Sequence, residues 1–180
     1  YVKKSEILVT LKEAEEIERK RREEAEEAER KRREEENRKM IATQSNITVD
    51  QAKQLETWCH LKCGYIIFDS TKHCWSKENN EFRKKILNKS KVCIVIENED
   101  GEIFGCYINS TIDKVCQSPD WKKIKDEHAF VFNLESKGRH PTPMKFDIKK
   151  EKCDRAFKLH LDDYDHLFYC GNDIVILKEN

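Results

Sequence analysis

The chain has 180 residues, with 35 lysines and arginines against 35 aspartates and glutamates, and eight cysteines. This balance excludes a global field toward nucleic acid or an anionic membrane, so any such binding has to be local. No apolar run approaches the roughly 18 residues needed to cross a bilayer and no signal pattern stands at the front, so no membrane span is expected.

The cysteines sit mostly inside apolar stretches such as "KVCIVIE" and "IFGCYI". They read as reduced core thiols of a cytoplasmic protein rather than as the disulfide framework of a short secreted chain. The first residue is Tyr1 rather than Met, which leaves open both a fragment and a targeting segment upstream.

In chain order, the first element is a charged rod. From Glu13 the sequence runs "EAEEIERKRRE" and then "EAEEAERKRRE", a repeat of 11 residues in which Ile17 gives way to Ala28. Three helical turns fit that period, which predicts a straight or slightly right-handed helix. Glutamate precedes a base by four residues at Glu15–Arg19, Glu16–Lys20, Glu18–Arg22, Glu26–Arg30, Glu27–Lys31 and Glu29–Arg33. Each such pair contributes only about 0.2–0.5 kcal/mol, but together with strong helix formers they hold a helix in water. The seam Ala14, Ile17, Ala25 and Ala28 is too small to bury much, so the rod reads as a solvated single-helix spacer. The alternative is a coiled coil with weak self-association. Nucleic-acid binding through "RKRR" is disfavoured by the flanking glutamates.

Thr48 and Gln51 form a capping-box signature, after which Val49, Ala52, Leu55 and Trp58 line one face of a short helix. The expected organisation is therefore residues 1–42 as charged helix, 43–61 as linker and short amphipathic helix, and 62–180 as a globular domain. In that domain "YIIF", "KVCIVIE", "EIFGCYIN", "AFVFNL", "MKFDI", "AFKLHL", "LFYC" and "DIVIL" have strand length. "NEDG" predicts a hairpin turn with Gly101 supplying a positive φ. In "AFKLHL" the alternation puts Lys158 and His160 on a wet face. A single helix with Ser76 as N-cap presents Phe82 and Ile86 together. Many strands with few intervening helices predict an α+β fold, an antiparallel β-sandwich flanked by helices and preceded by the long charged helix.

Cys59, His60, Cys63, His73 and Cys74 supply enough donors for zinc, but adjacent His73 and Cys74 fit poorly around one ion. They read instead as ordinary thiols and surface imidazoles, and neither metal nor cofactor is expected. No nucleophile elbow, P-loop or dinucleotide motif is present, and Asp69 and Ser70 read as turn formers at a strand end. The chain is accordingly not expected to be an enzyme. Arg83, Lys84, Lys85, Lys89 and Lys91 form a local basic run that could contact nucleic acid or acidic lipid, against the plainer reading as the solvated face of a helix.

The ordered series "IIFDSTKHCWSKENNEFRKKI", "KVCIVIENEDGEIFGCYI", "HAFVFNL", "PMKFDI" and "LFYCGNDIVI" resembles the TLDc domain, in the manner of its divergent protist members. Trp75, Ser76, Phe104, Gly105, Tyr107, Phe130, Phe132, Gly171 and Asp173 fall on positions of that pattern, between about Lys62 and Leu177. Cys106 and Cys170 depart from it where the family has glycine, and "KHCWS" replaces "DGWS" or "DGFS". The chain also stops at Asn180, where the family pattern continues with further strands. The resemblance implies a domain without an established catalytic mechanism, linked to oxidative-stress resistance and to regulation of the vacuolar-type proton pump by direct binding. It also makes Asp69 to Ser76 a structural corner and Trp75 a packing anchor. A protein partner is thus expected, the proton pump being the candidate, and nucleic acid is not.

Overall fold

The computed structural model describes residues 4–116, 122–161 and 164–178. Tyr1 and Asn180, the outer limits of the expected segments, lie outside them. The first helix, α1 (Lys4–Gln44), has 41 residues, about 60 Å at 1.5 Å per residue. It is followed by α2 (Val49–Cys59) and α3 (Glu81–Ile86). The strands β1 (Val92–Glu97), β2 (Ile103–Ile108), β3 (Phe130–Glu135) and β4 (Met144–Asp147) form an antiparallel sheet in sequence order. A 3-10 turn, Lys150–Arg155, leads to a second antiparallel sheet of β5 (Phe157–Leu159), β6 (His166–Cys170) and β7 (Ile174–Leu177). This is the expected α+β fold, two antiparallel sheets flanked by helices behind a long N-terminal helix.

Two cores explain the layering. Between the sheets lie Val92, Cys106 and Ile108 from one side and Phe157, Leu159, Leu167, Phe168, Cys170 and Ile174 from the other, with Phe82 and Ile86 of α3. Phe168 stacks on Phe82 at 5.3 Å and on Phe157 at 5.5 Å. On the opposite face of the larger sheet, Ile103, Tyr107, Phe130, Phe132 and Leu134 pack against Ala42, Ile47, Ala52 and Leu55. Trp58 completes that layer, 6.5 Å from Phe130 and 6.3 Å from Phe132. Fully burying side chains of this size contributes about 1.5–3 kcal/mol each, so the two cores and not the surface charges hold the domain.

The central strand β2 belongs to both cores. Cys106 and Ile108 face the second sheet while Ile103 and Tyr107 face the helices. Gly105 lies between them opposite Phe132, where an added Cβ would overlap the Ile94 carbonyl oxygen and press on the Phe132 ring. A side chain is excluded there by close approach of the neighbouring strand. At the end of β2, the buried carboxylate of Asp126 accepts hydrogen bonds from the backbone N–H of Asn109 at 2.6 Å, Ser110 at 2.8 Å and His128 at 2.9 Å. It thereby ties the connection between β2 and β3 to the sheet.

Local signals hold at most ends. Thr48 Oγ1 accepts from Gln51 N at 3.1 Å and Gln51 Oε1 accepts from Thr48 N at 2.8 Å, so the capping box is complete. Gly101, at φ 73°, turns the β1–β2 hairpin. On α1, Glu16–Lys20 (3.3 Å), Glu27–Lys31 (2.6 Å) and Glu29–Arg33 (3.0 Å) pair as expected, whereas Arg19 turns to Glu23 and Arg30 to Glu34, each at 3.8 Å. With acids on both flanks, exposed bases choose between partners of nearly equal energy.

Three expectations are corrected. "YIIF" forms no strand; Ile67 and Phe68 instead pack against the inter-sheet core as an irregular segment. The N-cap of α3 is Asn80, whose Oδ1 accepts from Arg83 N at 2.9 Å, while Ser76 Oγ accepts from Asn79 N in the preceding turn. His160 is buried rather than wet, because β5 ends at Leu159 and the alternation stops with it.

Two measurements follow. Gly105→Ala should lower stability by about 3 kcal/mol through overpacking, seen as a reduced urea midpoint; an unchanged midpoint would contradict the close approach. Burial, with help from His166, Lys158 and Lys178, pushes the His160 imidazole down to about 4. An unfolded histidine titrates near ~6.5, so below that pH the unfolded chain takes up a proton that the fold refuses. Stability should therefore be full above pH ~6.5 and fall by up to about 3 kcal/mol as pH drops to about 4. His160→Phe should flatten that limb of the stability curve.

Candidate functional site

The long helix meets the domain at a buried ion pair. Arg38, on the inward face of α1, donates to Glu56 Oε2 through Nε at 3.0 Å and Nη2 at 2.8 Å, with side chains only 10% and 8% exposed. Arg38 Nη1 also donates to Glu35 at 2.6 Å. The second Glu56 oxygen accepts from the Cys63 N–H at 2.9 Å, and Lys62 approaches the carboxylate at 3.6 Å. Burial opposes ionisation of Glu56, but the Cys63 N–H, Arg38 and Lys62 together outweigh it and hold the carboxyl below its ordinary range. Asn37 Nδ2 adds hydrogen bonds to the carbonyls of Cys63 at 2.5 Å and Gly64 at 3.2 Å. One residue pair of α1 thus grips both α2 and the segment after it.

Further along α1 the character changes. Between Thr10 and Arg33 the helix is almost entirely exposed, including Leu11 and Ile17, whereas Arg38 and Ala42 are buried. The first part projects and the last turns belong to the domain.

The Asp69 to Ser76 segment is a braced corner. Asp69 Oδ1 accepts from Thr71 N at 3.0 Å and Thr71 Oγ1 at 2.7 Å, and Oδ2 accepts from Lys72 Nζ at 2.7 Å. The Lys72 hydrogen bond, then those of Thr71, hold the Asp69 carboxyl well below the usual carboxylate range. His73 stacks on Phe68 at 5.5 Å and its Nδ1 lies 3.0 Å from Asp69 N; it is half-buried, not the surface imidazole expected. Cys74 N donates to Glu81 at 2.7 Å, and Trp75 packs against the inter-sheet core. Each of these groups secures the turn that delivers α3 to the core.

The remaining candidates are dispersed. Arg83, Lys84 and Lys85 lie on α3 with Phe82 and Ile86 turned inward, and Lys89 and Lys91 follow in the loop; Lys84, Lys89 and Lys91 are exposed. Lys84 Nζ donates to Asn79 at 3.0 Å. Phe104 packs toward the inter-sheet core, Tyr107, Phe130 and Phe132 toward the helices, and Gly171, at φ 57°, turns β6 into β7 beside Asp173. Those positions are distributed through the scaffold and do not converge. Among the described residues no group of three His, Cys, Asp or Glu side chains could hold a metal ion, and no helix is long and apolar enough to cross a membrane. Cys59 and Cys63 both lie half-buried against the helix-facing core, where the Cys63 N–H donates to Glu56 Oε1 at 2.9 Å, while Cys74 Sγ lies apart from them, 3.3 Å from Ser76 Oγ.

Sequence reasoning missed Arg38 and Glu56. In a run where bases and acids alternate every few residues, nothing marks the one arginine that will be buried. The available signal was weak: Ala42 and Ile41 interrupt the charge pattern, and Glu56 stands next to Leu55 on α2.

No curated protein and no solved structure matches the chain. The pattern of one family, described as the TLDc domain, matches residues 38–166. The match begins at the buried arginine and spans α2, the corner, α3 and the four-stranded sheet, continuing into β6. Covering more than half of the chain, it makes the chain a member of the TLDc domain family.

Proposed function

We propose that this chain is a non-catalytic protein-interaction module in which a TLDc domain is held at a set distance from another assembly point by a charged helical spacer. The observation that supports this reading best is the joint: Arg38 and Glu56 fix the projecting helix to the domain through a buried, multiply bonded pair. A helix held this way transmits position, since its orientation is set at its base and its exposed stretch is stiffened by ion pairs along its length. The corner residues support the same reading, because their polar groups brace a turn.

Family membership suggests the partner. The vacuolar-type proton pump is the proposed target, met on its cytoplasmic side, with a role in the response to oxidative stress. Binding would present the domain surface while the helix reaches to a second contact, about 35 Å of exposed helix at 1.5 Å per residue.

Two experiments test this. A pull-down from cell lysate at two ionic strengths should retain pump subunits at the higher salt; binding only to nucleic acid or acidic lipid, lost as salt rises, would transfer the function to Arg83, Lys84, Lys85, Lys89 and Lys91. Glu56→Ala leaves the buried Arg38 with only the more exposed Glu35 as a partner and should cost about 3 kcal/mol. Spin labels on α1 and on β3 should then report a broadened distance distribution. A distribution as narrow as the parent's would show that the joint does not set the helix.

A further inference from the structure

β4 is the outer strand of the larger sheet, and only β3 pairs with it. At its end Ile148 N donates to Ala129 O at 3.3 Å, which sets the phase of the antiparallel ladder. Met144 and Phe146 therefore exchange hydrogen bonds with Asn133 and Val131, while Lys145 and Asp147 turn their N–H and C=O groups outward. Pro143, just before the strand, has no N–H to offer, so the free run of the edge is short.

The side chains of β4 alternate between faces. Phe146, opposite Val131, is on the inter-sheet side, where it borders an open groove with Cys170 and Gly171 and stays 47% exposed. Lys145 and Asp147, opposite Phe132 and Phe130, are on the helix side and pair with each other at 2.8 Å. The Lys145 ammonium also lies 4.6 Å from the centre of the Phe130 ring, so the base is held beside the edge while the acid is open. The order base, aromatic, acid is self-complementary. Turned antiparallel about a two-fold axis at Phe146, a second β4 brings its Asp147 opposite Lys145 and its Phe146 opposite Phe146. The same register joins the outward backbone groups of Lys145 and Asp147, and leaves Phe146 in a non-hydrogen-bonded pair, where side chains come closest. A lysine on an edge ordinarily discourages pairing with an arbitrary strand; this register answers it with an aspartate. Among the other described outer strands, β1 carries only Glu97, β5 only Lys158 and β7 no charge, so none matches itself this way.

We propose that β4 is a self-association edge, at which a second copy of this chain adds its own β4 in antiparallel register so that the two larger sheets run on as one. Main-chain hydrogen bonds between Lys145 and Asp147 of the two copies set the register. On the helix side their side chains form an alternating square of charges, and on the groove side the two Phe146 rings cover each other. A ladder this short buries far less than the ~1,600 Å² of a standard interface, so the dimer is weak and follows protein concentration. It needs neither the exposed part of α1 nor the Arg38–Glu56 joint, and it does not rest on the identity of any other partner.

The test uses the full chain over a concentration series. Sedimentation velocity should show a monomer–dimer equilibrium. Hydrogen exchange should show the amides of Lys145 and Asp147 gaining protection as concentration rises, while that of Phe146, bonded within the sheet, is protected throughout. D147K and K145D each set like charges opposite one another and should raise the dimer dissociation constant about tenfold. Mixed in equal amounts, the two variants should associate with each other as the parent does with itself, and the double variant K145D/D147K should recover self-association. If a single variant does not fold, the parent's exchange pattern and the double variant carry the decision. A parent that stays monomeric at its highest soluble concentration overturns the proposal. So does a dimer that both single variants leave unchanged and that gives Lys145 and Asp147 no protection, which would move the contact to α1.

Discussion

The attachment of a charged helix to a packed domain depends on one buried ion pair, Arg38 with Glu56. Two ions removed from water are costly unless further hydrogen bonds satisfy them, and here Glu35, the Cys63 N–H and Lys62 do so. Such a pair is a poor source of net stability, but it is demanding about geometry. If α1 slid by one residue, Arg38 would rotate by about 100° away from Glu56, so the pair specifies the register and direction of the helix.

The same constraint divides the molecule's labour. On one side of Arg38 the helix is a solvated rod whose exposed pairs are individually worth little and interchangeable, as the turn of Arg19 and Arg30 to alternative glutamates illustrates. On the other side, Ala42 and α2 cover one face of a sheet whose opposite face is covered by a second sheet. Because β2 carries residues into both cores, disturbance at its centre is felt in both layers. Gly105 occupies the place where the two demands meet, with the Ile94 carbonyl and the Phe132 ring leaving no room for a side chain.

The polar residues illustrate how a dense chemical neighbourhood can serve architecture. Asp69, Thr71, Lys72, His73, Cys74 and Ser76 look concentrated in sequence, yet their contacts are with nearby backbone, with one another, with the Phe68 ring and with Glu81 at the start of α3, all around a single turn. Asp126 does the same at another junction, a buried carboxylate answered by three backbone N–H groups. Both secure irregular chain between packed elements, where no ladder or helix supplies partners for the main chain.

Much of the scaffold was legible from local signals. The rod followed from an 11-residue repeat, α2 from the Thr48–Gln51 box, the first hairpin from "NEDG", and the two-sheet architecture from spaced apolar runs, because each depends on residues close together in the chain. What remained hidden depends on residues far apart. "YIIF" has strand composition but meets no neighbour to pair with, so packing overrides propensity. His160 follows an alternating pattern but lies beyond the strand that would have kept it wet. Arg38 is indistinguishable in sequence from the exposed arginines before it. Only the docking of α1 on α2, and of α2 on the larger sheet, brings Arg38 to Glu56. The burial of that charge is a property of the docking, which no local periodicity encodes.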